Sequence, residues 1–343
     1  MRVLSDNQCE AAAAHGVPHH EEVREGLWAV AVPMPGSFLS YTLSMVMLHA
    51  DGQVYVIDPG SEGEATVEIF RDFLASHGRS LADIATIVVT HSHPDHLGSA
   101  ARLRELSGAT VVMHAREQEE VEGSQSRLIA QLREQVAAWG MPEAEMRGLL
   151  DMMDRADYGE HPDIRADLLV RDGDEIAETG WRVVATPGHT AGHMCLVDDM
   201  RKLLFSGDHV LPTVNPGIGL SGSRDNENAV VDFLASLERL EPFDDYEVCP
   251  GHGYRFYGLK ERRLEQAAHV HKRAHEVETI LARDPDLSVW GIAEQLTWSA
   301  GWQTLLKSTL LASGLAQTSM YRDAVRAGIT SRMPPAPAPV KSH

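Results

Sequence analysis

The sequence predicts an α/β protein in which two sheets are sandwiched between helix layers, followed by an all-helical C-terminal extension. Short β-branched or alternating apolar segments recur in two blocks, helical segments follow each block, and beyond about residue 258 the periodicity is wholly helical. With 343 residues, 43% of them hydrophobic, 28 Gly and 17 Pro, the chain has an ordinary globular composition and length enough to bury a large core.

The elements follow in order. Residues 1–24 read as a polar leader. Segments 27–33 (LWAVAVP), 38–48 (FLSYTLSMVML) and 53–58 (QVYVID) are bounded by Gly, Pro and Asp and predict consecutive strands. Val67, Phe70, Phe73 and Leu74 lie at helical spacing within 64–77, and Gly78 then leads to the strand 84–90 (IATIVVT), a β-α-β unit. A helix over about 97–107, ended by Gly108, precedes a strand at 109–114. Residues 115–158 form a helical insertion with a soft face of Trp139, Met141, Met146, Met152 and Met153, read as packing core in preference to a lid.

Strands resume at 167–170, 174–176, 181–186, 193–198 and 203–206; a helix at about 226–240 and a strand at 246–250 close a domain spanning 25–257. In the extension, 258–330, Leu259, Leu264, Ala267, Val270, Ala274, Val277 and Leu281 trace one helical face. Shorter helices are expected at 288–296, 302–313 and 316–327, before a Pro-rich tail over 331–343 that cannot build a core.

The formal net charge of −20 and the lack of a dense Lys/Arg run disfavour nucleic acid as a partner. Cys9, Cys195 and Cys249 form neither a disulfide framework nor a metal knuckle and read as free thiols. No signal-peptide core and no membrane-length apolar window appears, so a cytoplasmic location without membrane attachment is expected.

The chemistry concentrates in VTHSHPDHLG, residues 89–98, where His91, His93, Asp95 and His96 follow a buried strand. Three imidazoles and a carboxylate packed this tightly repel one another when protonated, and are costly to assemble without a cation. One ion could use His91 and His93, a second Asp95 and His96. Three later strand ends add PGHTAGH with His189, SGDH with Asp208, and CPGHG with His252, each beside a glycine that permits a tight turn.

Taken together, the ordered set His-x-His-x-Asp-His, His, Asp, His, with the Asp58-Pro59-Gly60 turn before it, resembles the metallo-β-lactamase-fold hydrolase superfamily over about residues 25–255. The resemblance implies an αββα metallo-β-lactamase sandwich in which His91, His93 and His189 hold one metal. Asp95, His96 and His252 hold the other, and Asp208 bridges. It implies further that a hydroxide shared by two divalent cations attacks the substrate. Zinc suits the donors best, and manganese or iron would tolerate them. Asp95 and Asp208 are the candidate catalytic carboxylates, Asp95 chiefly as a ligand. The bridging aspartate is a mark of the thioesterase, glyoxalase II, lactonase and nuclease branches. The extension is similar to the winged-helix-like segment of a lactamase-like group that includes a ribonuclease.

Other residues are assigned by their place in the motifs. His193, His209 and Tyr254 are candidates for supporting the ligands or touching substrate. Ser92 is expected to bond backbone. His15, His19 and His20 read as a loose surface tract, and His269, His271 and His275 as solvated.

A small-molecule ester, thioester or lactone is the expected substrate, and a homodimer through the extension is possible. The alternatives are a phosphodiesterase or ribonuclease, which needs a basic groove drawn from Arg224, Arg255, Lys260, Arg262 and Arg263, weak β-lactamase activity, and a redox module with a flavin partner.

Overall fold

In the computed structural model, residues 1–35, 37–122, 125–155, 164–220, 228–299, 301–308 and 310–328 are described. The first half of the chain runs β1 (Arg2–Val3), α1 (Asp6–Ala13), β2 (Glu21–Arg24), β3 (Leu27–Pro33), β4 (Tyr41–Leu48), β5 (Val54–Ile57), α2 (Glu64–Ser76), β6 (Ile84–Val89), α3 (Pro94–Leu97), α4 (Ala100–Ser107) and β7 (Thr110–His114). The insertion supplies α5 (Ala115–Glu122), α6 (Gln125–Ala138) and α7 (Glu143–Arg155). Then come β8 (Leu168–Val170), β9 (Glu175–Ile176), β10 (Trp181–Ala185), β11 (Met194–Asp198), β12 (Leu203–Gly207), α8 (Ala229–Arg239), β13 (Glu247–Pro250) and β14 (Phe256–Tyr257). Four helices follow: α9 (Leu259–Arg283), α10 (Val289–Gln295), α11 (Trp302–Leu305) and α12 (Leu311–Arg326).

The strands make two seven-stranded sheets, ordered β2-β3-β4-β5-β6-β7-β8 and β1-β14-β13-β12-β11-β10-β9. Both sheets mix parallel and antiparallel pairs. Inward-facing residues such as Ala29, Met45, Ile57, Val183, Leu196 and Phe205 form a core between the sheets. Valines on the opposite face of the first sheet pack under Phe70, Leu74 and Leu103 of α2 and α4. The second sheet is covered by Phe233, Leu237, Val270 and Val277 of α8 and α9. Strands buried on both faces need near-continuous apolar sequence, which is why β4 and β6 read so clearly.

The ends of β6, β12 and β13 meet at one edge of the sandwich. Backbone bonds join them there: Met194 N to Thr90 O at 3.0 Å, Gly251 N to Gly207 O at 2.8 Å, and Leu43 N to Gly251 O at 2.7 Å.

The leader is more ordered than its sequence predicts. β1 pairs with β14 and β2 with β3, so the first 24 residues contribute an edge strand to each sheet. Buried Arg255 bonds Glu247 of β13 at 2.5 Å and Glu21 of β2 at 2.6 Å, and Arg24 reaches Glu247 at 2.6 Å. Carboxylates of both sheets thus share one guanidinium.

No strand follows β14 among the described residues, and the extension is built there of helices, as its periodicity predicts. One further expectation needs correction. The single helix expected over 302–313 is instead α11 and the start of α12; Ser308 between them accepts from Leu310 N and bonds Leu305 O, satisfying the turn locally.

The insertion and the extension share a separate core, in which Val136, Trp139 and Leu149 are buried with Val289, Leu311 and Leu315, and Met141, Met146 and Met152 pack alongside. Trp139→Ala should therefore destabilise this unit by about 3–5 kcal/mol. Chemical denaturation followed by tryptophan fluorescence will show an earlier transition for the variant; superimposable curves would mean that this face is not buried.

Candidate metal centre

Each candidate side chain sits at a strand end. His91 and His93 follow β6, Asp95 and His96 ride on α3, His189 lies between β10 and β11, Asp208 follows β12, and His252 follows β13. The fold brings all seven together. Donor atoms of His91, His93, His189 and Asp208 lie within 4.8 Å of one another, and those of Asp95, His96 and His252 do likewise.

The spacing of the nitrogens tests whether an ion fits. His91 Nε2 is 3.0 Å from His93 Nδ1, His189 Nε2 is 3.1 Å from the same atom, and His96 Nε2 is 3.1 Å from His252 Nε2. A tetrahedral ion with bonds of about 2.0–2.1 Å sets its ligands roughly 3.3 Å apart, close to these edges. Asp208 faces both groups: its Oδ2 is 3.7 Å from His189 Nε2, and its Oδ1 is 3.4 Å from both His96 and His252 Nε2. That Oδ1 is buried and has no hydrogen-bond partner, an acceptor left open toward the gap between the clusters. The residues fit a pair of cations.

The far side of four of these rings is already occupied. His189 Nδ1 donates to Gly217 O at 2.7 Å, His252 Nδ1 to Tyr41 O at 2.7 Å, and His96 Nδ1 to Asp58 Oδ2 at 2.8 Å. Thr90 Oγ1 donates to Asp58 Oδ2 at 2.7 Å and so can accept from His91 Nδ1 at 3.0 Å. Such outward bonds hold a proton on Nδ1 and turn Nε2 toward the centre, the orientation that metal-binding histidines need. Asp58 has φ +53 and holds it with a third bond, from Thr90 N to Oδ1 at 2.7 Å. The Asp-Pro-Gly turn is therefore a support for two candidate ligands.

Glu117 has no signature in the sequence, where it lies in the charged run REQEEVEG. On α5 it is fully buried. Its Oε2 accepts Ser92 N at 2.7 Å, and its Oε1 accepts Thr190 Oγ1 at 2.6 Å and Gly192 N at 2.7 Å. One carboxylate thus ties the loop carrying His91 and His93 to the loop carrying His189. The burial of Ala115 and Gln118 beside it was the only available hint, and that is a property of the fold.

The three uncertain residues separate. His193 Nε2 accepts the backbone N of Asp208 at 3.2 Å and its Nδ1 meets Thr186 Oγ1 at 2.8 Å, so it supports the Asp208 turn. A Cβ at Gly207 would come within 2.7 Å of that ring, and one at Gly251 within 2.8 Å of Asp208 Oδ1; only glycine permits these approaches. His209 is buried against Phe233, with neither nitrogen hydrogen-bonded, and lies outside both donor groups. Tyr254 packs on the core under α9. Ser92 uses its backbone N–H, on Glu117. His15, His19 and His20 stay exposed on ordered backbone, where His20 Nδ1 accepts from Ala31 N at 3.3 Å.

Burial pushes the imidazoles of His91, His93 and His189 down, His93 to about 3, so these stand neutral with free lone pairs. Burial also opposes charge on His96 and His252, but the Asp208 carboxylate outweighs it and raises both, His252 to about 9. Asp208 is itself disfavoured by burial and is held well below the usual carboxylate range by His252 and His96.

Because His252 keeps its proton up to about pH 9 when no cation is present, binding a cation through Nε2 must expel that proton. Divalent-metal loading at pH 7 should release protons, with apparent affinity climbing as pH rises toward that value. Calorimetric titration in buffers of different ionisation heat checks this, and a buffer-independent heat would contradict it. Glu117→Gln and Asp58→Ala should each weaken metal binding by about 10–100-fold, since both hold ligands rather than the ion. Competition with a chelating dye measures the change; wild-type affinity in both variants would remove their assigned role.

Similarity to known proteins agrees with this geometry. The sequence matches the metallo-beta-lactamase superfamily over residues 40–252. The beta-lactamase-like protein 2 homolog of Caenorhabditis elegans is 22% identical, over 83% of this chain and 81% of its own length. A hydroxyacylglutathione hydrolase of Albidiferax ferrireducens is 29% identical, over 67% of this chain and 68% of its own length. The crystal structure of a metallo-beta-lactamase family protein from Thermus thermophilus superposes with a TM-score of 0.71 at 26% identity, covering 90% of this chain and 95% of that one. With a match across well over half its length, running from the β4 strand to the last clustered histidine, this chain belongs to the metallo-beta-lactamase superfamily.

Proposed function

We propose that this protein is a binuclear metal-dependent hydrolase of a small ester, thioester or lactone. The observation that carries the reading is Asp208, which turns one carboxylate oxygen to each of two adjacent donor clusters and leaves the buried Oδ1 without a hydrogen bond. His91, His93 and His189 would hold one cation, Asp95, His96 and His252 the other, with Asp208 between them. Nitrogen and carboxylate donors without thiolate suit zinc and also accept manganese or iron. Two such ions supply an activated water and polarise the bond to be cleaved.

The chain's own residues do the rest. Asp58 and Thr90 hold His96 and His91 in one tautomer, Glu117 fixes the spacing of the two loops, and His193 holds the Asp208 turn. Asp95, with a side chain 20% exposed, is the most open of the carboxylates at the centre and would orient an arriving nucleophile beside the ion it helps to hold.

The substrate class rests on which cations are free. A nuclease needs a basic groove, yet Arg255 is spent on Glu247 and Glu21, Arg262 on Leu211 O and Val214 O, and Arg263 on Asp244. Lys260 is exposed on α9, and Arg224 lies outside the described residues. The named activity of the Albidiferax relative is consistent with a thioester.

Purified protein should carry two divalent ions per chain. Chelation should abolish hydrolysis, and readdition should restore it. Asp208→Ala and His91→Ala should each lose metal and about three orders of magnitude or more in turnover while keeping native circular dichroism, on the scale expected when a metal-activated nucleophile is lost. The panel consists of thioesters, lactones, β-lactams and single-stranded RNA. Full activity after metal stripping refutes the mechanism, and turnover of RNA alone, falling steeply with salt, replaces the substrate class.

A further inference from the structure

Beside His252 opens a cavity of about 170 Å³. Ala12 of α1 and His15 just after it form one wall, Phe38 of the β3–β4 turn a second, and Leu211 and Val214 of the loop after β12 a third. Among the described residues, no Asp, Glu, Lys or Arg lines it. None of the described residues of the insertion lines it, and the Trp139 face packs against the C-terminal helices.

Two of the walls are anchored. The hydroxyl of Tyr41 lies 3.0 Å from Gln8 O on α1 and 2.8 Å from Gly253 O beside His252. Arg255 N donates to Gln8 Oε1 at 3.0 Å, and Leu4 N to Arg255 O at 3.0 Å. Helix α1 is thereby fastened to the same loop that carries His252. On the opposite side, Arg262 grips Leu211 O and Val214 O, each at 2.6 Å. The third wall is different. Phe38 leaves 72% of its surface exposed, touching His15 edge-on at 6.2 Å between ring centres. Ser40 and Thr213 line the cavity as well, and a bare phenyl group at its rim is apolar surface that a bound group would cover.

Size narrows the occupant. An apolar cavity of about 150 Å³ admits benzene, whereas drug-sized ligands need roughly 300–1,000 Å³. We propose that the segment preceding β2, which the sequence presents only as a polar leader, builds the subsite for the substrate's acyl substituent. That substituent is uncharged and apolar, the size of one aromatic ring or a short branched chain, lodged between α1 and the 211–214 loop and capped by Phe38. The inference rests on the hydrolase reading for its substrate and on the cavity alone for its binding preference.

Two hydroxamic acids with the same metal-binding head separate these. Calorimetric titration of the metal-loaded protein should find phenylacetohydroxamate bound at least about tenfold more tightly than acetohydroxamate, given about fourfold for each methylene-sized group buried. Ala12→Phe, which fills the cavity, should erase the preference and leave acetohydroxamate binding as it was. Phe38→Ala, on an exposed side chain that folding does not need, should reduce the preference several-fold. Equal affinity for the two compounds in the wild type, no binding of either, or equal loss for both in the variants overturns the subsite. The ethyl thioesters of acetic and phenylacetic acid are assayed in parallel. A preference in binding without turnover of either thioester, or of any compound in the panel above, leaves the subsite standing and removes the hydrolase reading, while turnover of both without any preference does the reverse.

Discussion

Imidazoles and carboxylates can share a dry cleft only if every polar atom that faces away from its centre is already partnered. That constraint governs the architecture around the ligand loops. Leaving even one outward N–H unpaired in such a place costs about 1–3 kcal/mol. The protein meets the requirement with backbone carbonyls at Gly217 and Tyr41 and with the buried carboxylate Asp58. These partners come from both sheets, so the two halves of the sandwich must be docked before the centre is complete. Toward the centre, the lone pairs of neutral rings converge with the Oδ1 of Asp208, which has no hydrogen bond.

A local signal is legible in sequence, and a long-range one is not. His91, His93, Asp95 and His96 fall within six residues, so strand alternation and one helical turn suffice to gather them. His189, Asp208 and His252 could be read because each follows a clear strand and a glycine, and because their order resembles a known family. Asp58 was visible as a turn, but its hydrogen bond to His96 spans 38 residues and depends on sheet pairing. Glu117 was harder still: in a segment of many acids, only the packing of α5 selects the one that turns inward. The leader failed for a related reason. Strands of two and four residues are too short to show alternation, and their partners, Tyr257 with Arg2 and Ala29 with Glu21, are fixed by tertiary contact. Ser5 caps α1 by accepting from Gln8 N at 3.1 Å.

The overall charge of −20 conceals how the cations are used. Arg255 and Arg262 are almost wholly buried, the first joining carboxylates of the two sheets and the second bracing a loop by its carbonyls. Removing one partner of a buried pair of this kind costs several kcal/mol, roughly 3–5 in measured cases, so these arginines are structural first. Counting basic residues near a site in sequence therefore overstated what a polyanion would meet.

The small core shared by the insertion and the C-terminal helices joins Trp139 to Leu315. On the ribosome the first of these emerges long before the second. At roughly 5–20 residues per second, the tryptophan-bearing surface waits on the order of ten seconds for its cover. Throughout that interval a nascent chain with its sandwich largely synthesised still displays a greasy flank, a natural target for holdase chaperones and the segment from which aggregation during overexpression would begin.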